Sequence, residues 1–174
     1  PGQRYLVVRA EKRYRFVERA GLCCDLFQSD DLDARGDTFR GGCLAVWDMT
    51  RVYPPSGRGE QCTSADAAGF PIAPLLFNAD EVAAGEIRHA IRFILPNARM
   101  ASDASLGGVA GRLYVRPASH AGGPSGPAGT VPYGARLRLK AGFDTSGFSP
   151  GARVVLAAMK KYGIVLADGG NIAL

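Results

Sequence analysis

Glycine and proline punctuate this chain more densely than a helical protein tolerates, with 23 Gly and 11 Pro in 174 residues. Proline fixes φ and removes a backbone donor, and glycine weakens the interior of helices and strands alike. The chain is therefore expected to fold as many short elements joined by turns, with strands contributing much of the structure. Its length suits one ordinary domain over residues 1–174, long enough to bury a core without staples. A content of 47% hydrophobic and 21% charged residues is that of a globular protein rather than a disordered one. No apolar run approaches the roughly 20 residues a bilayer crossing needs, so no membrane span is expected. The chain opens on Pro1 rather than Met, so a processed product or part of a longer chain is expected.

Two helices stand out. Asn78 is a good N-cap for a helix over about 79–90, with Asp80 and Glu81 in its first turn, where acids suit the positive end of the dipole. At about 100° per residue, Ala83, Ile87 and Ala90 would share its core-facing side. Ser149-Pro150 opens a second helix over about 150–162, closed by Lys160, Lys161 and Gly163. Strand patterns fall at Tyr5–Arg9, Tyr14–Val17, Cys43–Trp47, Ile91–Leu95, Leu113–Val115 and Ile164–Ala167. Ala135–Ala141 (ARLRLKA) alternates, which points Leu137 and Leu139 inward and Arg136, Arg138 and Lys140 outward. Pro117–Pro132 is the most flexible-looking segment. The fold class is α+β, a mixed, mainly antiparallel sheet with both helices packed on it.

The formal charge of +5 is unevenly spread: Arg4, Arg9, Lys12, Arg13, Arg15 and Arg19 crowd the start, interleaved with Tyr5, Tyr14 and Phe16. Such a stretch suits either a polyanion-binding surface or a hairpin with cations facing water. The alternation Tyr14-Arg15-Phe16-Val17-Glu18 favours the hairpin, and nucleic acid is not the expected partner. Cys23, Cys24, Cys43 and Cys62 form no CxxC pair, so zinc is not expected. Two disulfides tying the Cys23-Cys24 corner to Cys43 and Cys62 are expected, with reduced core thiols as the alternative. The acidic run Asp25–Asp37 lacks the ordered ligand series of a calcium loop and reads as solvated.

Candidate chemistry centres on the two histidines. Glu86 and His89, three apart on the expected helix, have the spacing of bundle metal sites, with His120 as a third ligand, or else form a surface pair. Arg92 follows on the next strand, and Trp47 or Tyr114 offers a stacking surface. His89, His120, Glu86 and Arg92 are the candidate catalytic residues. If they work together, the two imidazoles converge on a common point in a cleft. Asp80 and Glu81, adjacent on a helix, diverge too far to flank one glycosidic bond. Nucleophile-elbow, phosphate-loop and dinucleotide fingerprints are absent, and no cofactor is expected.

Five blocks occur in order: TSADAAGFPIAPLL, NADEVAAGEIRHAIRF, YVRPASHA, PYGARLRLKAGFDTSGFSP and VVLAAMKKYGIVLADGG. Together they resemble a family of largely uncharacterised secreted proteins, mostly bacterial, over about Thr63 to Gly170. His89, Arg92, His120, Asp80, Glu81 and Glu18 match its pattern. Tyr5 stands where that pattern has His, and Ser119 where it has Arg, so a copy that has lost one member of a shared site is one expectation. The resemblance implies an extracellular location but no settled activity, and the family pattern runs on past Leu174. An extracellular domain that binds or processes a carbohydrate or cell-surface polymer follows by association. A structural subunit contacting other protein chains and a basic polyanion-binding module are the alternatives.

Overall fold

The computed structural model describes residues 15–19, 22–27, 43–48, 50–62, 66–103 and 109–171. The fold is α+β, with strands in two three-stranded sheets. In the first, β1 (Arg15–Arg19), β2 (Leu22–Phe27) and β3 (Cys43–Asp48) run antiparallel in sequence order. The expected hairpin partner Tyr5–Arg9 lies outside the described residues, as do 28–37 of the acidic run; β1 pairs forward with β2, Arg19 opposite Leu22.

The second sheet has the order β4-β6-β5, made by β4 (Ile91–Leu95), β5 (Arg136–Leu137) and β6 (Ile164–Gly169). The central strand β6 is parallel to β4 and antiparallel to β5, which makes this sheet mixed. Ala167 is an extra residue on β6, because Phe93 pairs with Leu166 while the next residue, Ile94, pairs with Asp168.

Helix α1 is much shorter than its pattern predicts, Ala79–Ala83 rather than 79–90. Its start is as expected: Asn78 Oδ1 accepts from Glu81 N at 2.9 Å, and Asn78 N donates to Glu81 Oε2 at 3.0 Å. Its end is set by Gly85, whose φ of 80° is left-handed and halts the helix before Glu86. Ala83 is consequently exposed, whereas Ile87 is buried from an irregular segment. Helix α2 (Pro150–Lys161) begins at the Ser149 cap as expected, and Tyr162 ends it. Ala158 and its neighbours Val154, Val155 and Met159 pack on Ile87 and Ile91, beneath the N-terminal end of the sheet.

The larger core gathers Phe70, Phe93, Met100, Tyr114, Tyr133 and Leu166 on the other side. Each aromatic ring so buried contributes on the order of 2 kcal/mol through area removed from water. Pro117–Pro132, expected to be flexible, is bound into this core: Ala118, Ser119, Pro124 and Gly126 are buried, and Gly126 N donates to Met100 O at 2.7 Å. Leu113–Val115 forms no strand; Tyr114 makes a single bridge to Tyr133.

The alternating ARLRLKA segment does not form the expected inward-outward strand. Only Arg136 and Leu137 pair with β6, and Leu137 is 44% exposed instead of inward. Beyond it the chain leaves the sheet for the C-terminal end of α2, where Leu139 N donates to Met159 O at 3.2 Å. The expected disulfide framework is not formed at Cys62, which is a free, half-buried thiol. Cys43 pairs with Phe27 and Cys24 with Val46. Three steps along a ladder are roughly 10 Å, beyond the roughly 7 Å Cα limit of a disulfide.

Candidate functional site

The polar centre of the molecule lies where the Asp66 turn meets the bulge of β6. Asp66 Oδ2 accepts from Ala68 N at 3.1 Å and Phe70 N at 2.9 Å, a turn that an aspartate ahead of small residues and Gly69 readily makes. Gly69 has φ 82°, and a Cβ there would lie 2.5 Å from Ser119 Oγ, so both conformation and space require glycine. Ala68 N also donates to the bulged Ala167 O at 2.8 Å. Ala68 O in turn accepts from Ser119 N at 3.0 Å and His120 N at 3.2 Å. One short turn thus clasps β6 on one side and the 117–120 loop on the other.

Arg92, on β4, donates through Nη2 to Asp66 Oδ1, and the same nitrogen lies 3.6 Å from Asp168 Oδ2. Asp66 is wholly buried, while the side chains of Arg92 and Asp168 keep 14% and 18% exposure. Burial pushes the Asp66 carboxyl up to about 7, against the pull of Arg92 and the backbone donors, with Asp168 adding to the rise. For Arg92, burial opposes the charge, but the two carboxylates outweigh it and the net shift is upward.

Tyr133 lies beside this pair. Its hydroxyl donates to Asn97 Oδ1 at 3.0 Å, and its pKa is raised by burial and then by Asp168 and Asp66. A Cβ on Gly169 would sit 2.5 Å from Asn97 Oδ1 and 3.2 Å from the tyrosine oxygen; one on Gly122 would sit 3.3 Å from that oxygen. These close approaches draw the end of β6, Asn97 and the His120 loop around one hydroxyl. His120 Nδ1 donates to Ala67 O at 2.8 Å, which leaves the lone pair on Nε2 without a partner among the described residues.

A second network borders the same loop. Tyr114 OH and Arg116 Nη2 donate to opposite oxygens of Glu60, and Gln61 Nε2 donates to Tyr114 OH at 3.2 Å. Gln61 has φ 60°, a left-handed conformation unusual for a side-chain-bearing residue, and its N donates to Ser119 O at 2.8 Å. The Arg116–Pro117 bond is cis.

Two of the four candidates from sequence, Arg92 and His120, border the Asp66 turn, whereas His89 and Glu86 pair elsewhere. None of His89, His120, Glu86 and Arg92 bonds to another of the four. His89 has Nδ1 2.8 Å from Ala90 O and Nε2 3.0 Å from Glu81 Oε1, so both ring nitrogens are occupied by acceptors. Glu86 pairs with Arg88 at 2.9 Å and Lys161 at 3.6 Å, and Arg88 followed by Lys161 lowers its pKa. The helical Glu86–His89 pairing fails because α1 has already ended. Trp47 and Tyr114, offered as stacking surfaces, are buried at 5% and 1% exposure. Trp47 instead packs edge-on to Tyr53, ring centroids 4.8 Å apart.

Asp66, Asp168, Asn97 and Tyr133 were not legible as site residues. Asp66 carries a turn signal, but nothing local pairs it with Arg92, and Asp168 reads as an ordinary turn residue. Among the described residues, no three His, Cys, Asp or Glu side chains gather to hold a metal ion. Nor is any helix among them long and apolar enough to cross a membrane. No family model matches the chain, and no curated protein or solved structure matches it either.

Proposed function

We propose that this chain is an extracellular domain that binds a carbohydrate or cell-surface polymer at the rim formed by Asp168, Arg92, Asn97 and His120. One observation carries the reading: four groups that reach the surface are each oriented by a partner beneath. Asp66 holds Arg92, Gly169 N donates to Asp168 Oδ1 at 2.8 Å, Tyr133 fixes the Asn97 amide, and Ala67 O fixes the His120 tautomer. Donors and acceptors whose orientation is settled before binding suit a ligand rich in hydroxyl groups, because little ordering remains to be done. The extracellular part rests on the resemblance of the sequence blocks.

Binding is favoured over processing by a carboxylate pair, since a fully buried Asp66 touches no ligand. If a reaction is performed, the basic group at the rim is His120 Nε2, whose lone pair has no partner among the described residues.

Soluble cell-wall and extracellular polysaccharide fragments, titrated into labelled protein and followed by amide chemical shifts, test the reading. Perturbation is expected around Asp168, Asn97 and His120. Asp168→Asn and Asn97→Ala are each expected to weaken binding about 5- to 30-fold. Perturbation confined to other surfaces, or none with any fragment, overturns it. Product analysis of the same mixtures separates binding from cleavage.

A further inference from the structure

At the other end of β6 the molecule presents a surface of a different kind. Phe143 and Phe148 are 41% and 44% exposed, and their rings lie 6.0 Å apart. Beside them Arg138, Leu139, Lys140, Gly142 and Phe143 line an open, largely apolar depression of about 540 Å³. Water-exposed aromatic rings beside such a depression are not needed by the core and mark an interaction surface.

The charge around it has one sign. Arg138 and Lys140 line the depression, Lys160 reaches the backbone of Phe143, and Arg136 lies beside Arg138, the Cγ atoms of both within 3.2 Å of a Cβ built on Gly163. Two of these cations build the surface: Arg138 Nη2 donates to Lys160 O at 2.6 Å, and Lys160 Nζ donates to Phe143 O at 2.7 Å. Arg136 and Lys140 are exposed and have no side-chain partner among the described residues. Asp144 is turned to Ser146, accepting from its N at 2.9 Å and its hydroxyl at 3.0 Å.

We infer that this face docks on an anionic lipid surface, with Phe143 and Phe148 entering the headgroup boundary and Arg136 and Lys140 facing the lipid charge. Exposed rings flanked by unpaired cations are the composition of interfacial anchors, in which apolar burial and attraction to anionic headgroups add. A soluble polyanion would use the cations and leave the rings idle. A second copy of the chain would set like charges against each other. The face lies roughly 13 Å along β6 from Asp168, so docking leaves the polymer-binding rim uncovered. The inference stands or falls independently of that rim.

The test is co-sedimentation of the full chain with mixed phosphatidylglycerol–phosphatidylcholine vesicles and with pure phosphatidylcholine vesicles. Binding to the mixed vesicles alone is expected. Arg136→Gln and Lys140→Gln should each weaken it about five-fold. Phe143→Ala with Phe148→Ala should weaken it about ten-fold, with the far-ultraviolet circular dichroism unchanged. In a Phe143→Trp variant the added emission should shift to the blue on vesicles, which reports insertion directly. No binding to mixed vesicles overturns the inference. So does binding that survives the phenylalanine substitutions, which would mark a simple polyanion site, or a dimer in solution that those substitutions dissolve.

Discussion

The two ends of β6 solve the placement of charged and apolar groups in opposite ways. At the Asp168 end, charge is taken inward: Asp66 is wholly buried and Arg92 keeps 14% exposure, each held by the other. At the Ile164 end, apolar rings are left outward and cations are spent on tying a loop to α2. Buried charge is costly unless paired, so the first arrangement fixes geometry and cannot be altered piecemeal. Exposed rings contribute little to folding, so the second is free to serve a partner. Stability should therefore be concentrated at one end, and substitutions can test that division.

Arg92→Ala should give the largest effect. It removes the guanidinium that faces a fully buried Asp66 and the nearby Asp168. Breaking a buried pair from one side is expected to cost about 3–5 kcal/mol, read as a fall in the urea midpoint at unchanged slope. A loss under about 1 kcal/mol would mean that water reaches Asp66 and that the two ends do not differ as described.

Asp66→Asn probes the same end through pH. The folded-state pKa of Asp66 is raised to about 7 from an ordinary value of 3.8, so the folded protein holds this proton where the unfolded chain has released it. Stability from this group is fully present below about pH 4, declines as pH rises toward 7, and is flat above that. The total span is at most about 4 kcal/mol. Unfolding free energies of the wild type should therefore fall more steeply between those limits than those of Asp66→Asn. Parallel pH profiles would show that Arg92 and the backbone donors keep the carboxylate ionised throughout.

Gly85→Ala examines the half of the molecule that carries the exposed face. Nothing lies within 4 Å of a Cβ at this position, so only the left-handed backbone is penalised. The expected cost is about 1 kcal/mol by thermal or urea unfolding. The same residue shows where sequence legibility ended. Asn78, Glu81, Ser149 and Pro150 act locally, and both helix starts followed from them directly. Gly85 sat inside an amphipathic pattern that continued through Ile87 and Ala90, and periodicity cannot tell a tolerated glycine from a terminating one. The consequence reaches the site, because Glu86 and His89 are neighbours only if the helix persists past Ala83. Leu137 failed for a related reason: the alternation of ARLRLKA was real, but its strand ends after two residues where α2 draws the chain away. Asp66 and Asp168 were hidden more deeply. Their meaning comes from Arg92, which lies 26 residues from Asp66 and reaches it only after β4 pairs with β6.

The smallest effect is expected where the exposed rings are. Phe143→Ala and Phe148→Ala remove side chains already 41% and 44% exposed, from a loop whose backbone is tied by Lys160 and Arg138 rather than by the rings. Each should change unfolding free energy by about 0.5 kcal/mol or less. Lys160→Ala is the sharper control, since it frees Phe143 O and should loosen the loop without touching either ring. If the ring substitutions proved as costly as Arg92→Ala, the rings would belong to the core, and the contrast between the two ends of β6 would collapse. If they are silent in stability while Lys160→Ala raises amide exchange across the loop, two phenylalanines are being held in water by a structure that does not need them to fold.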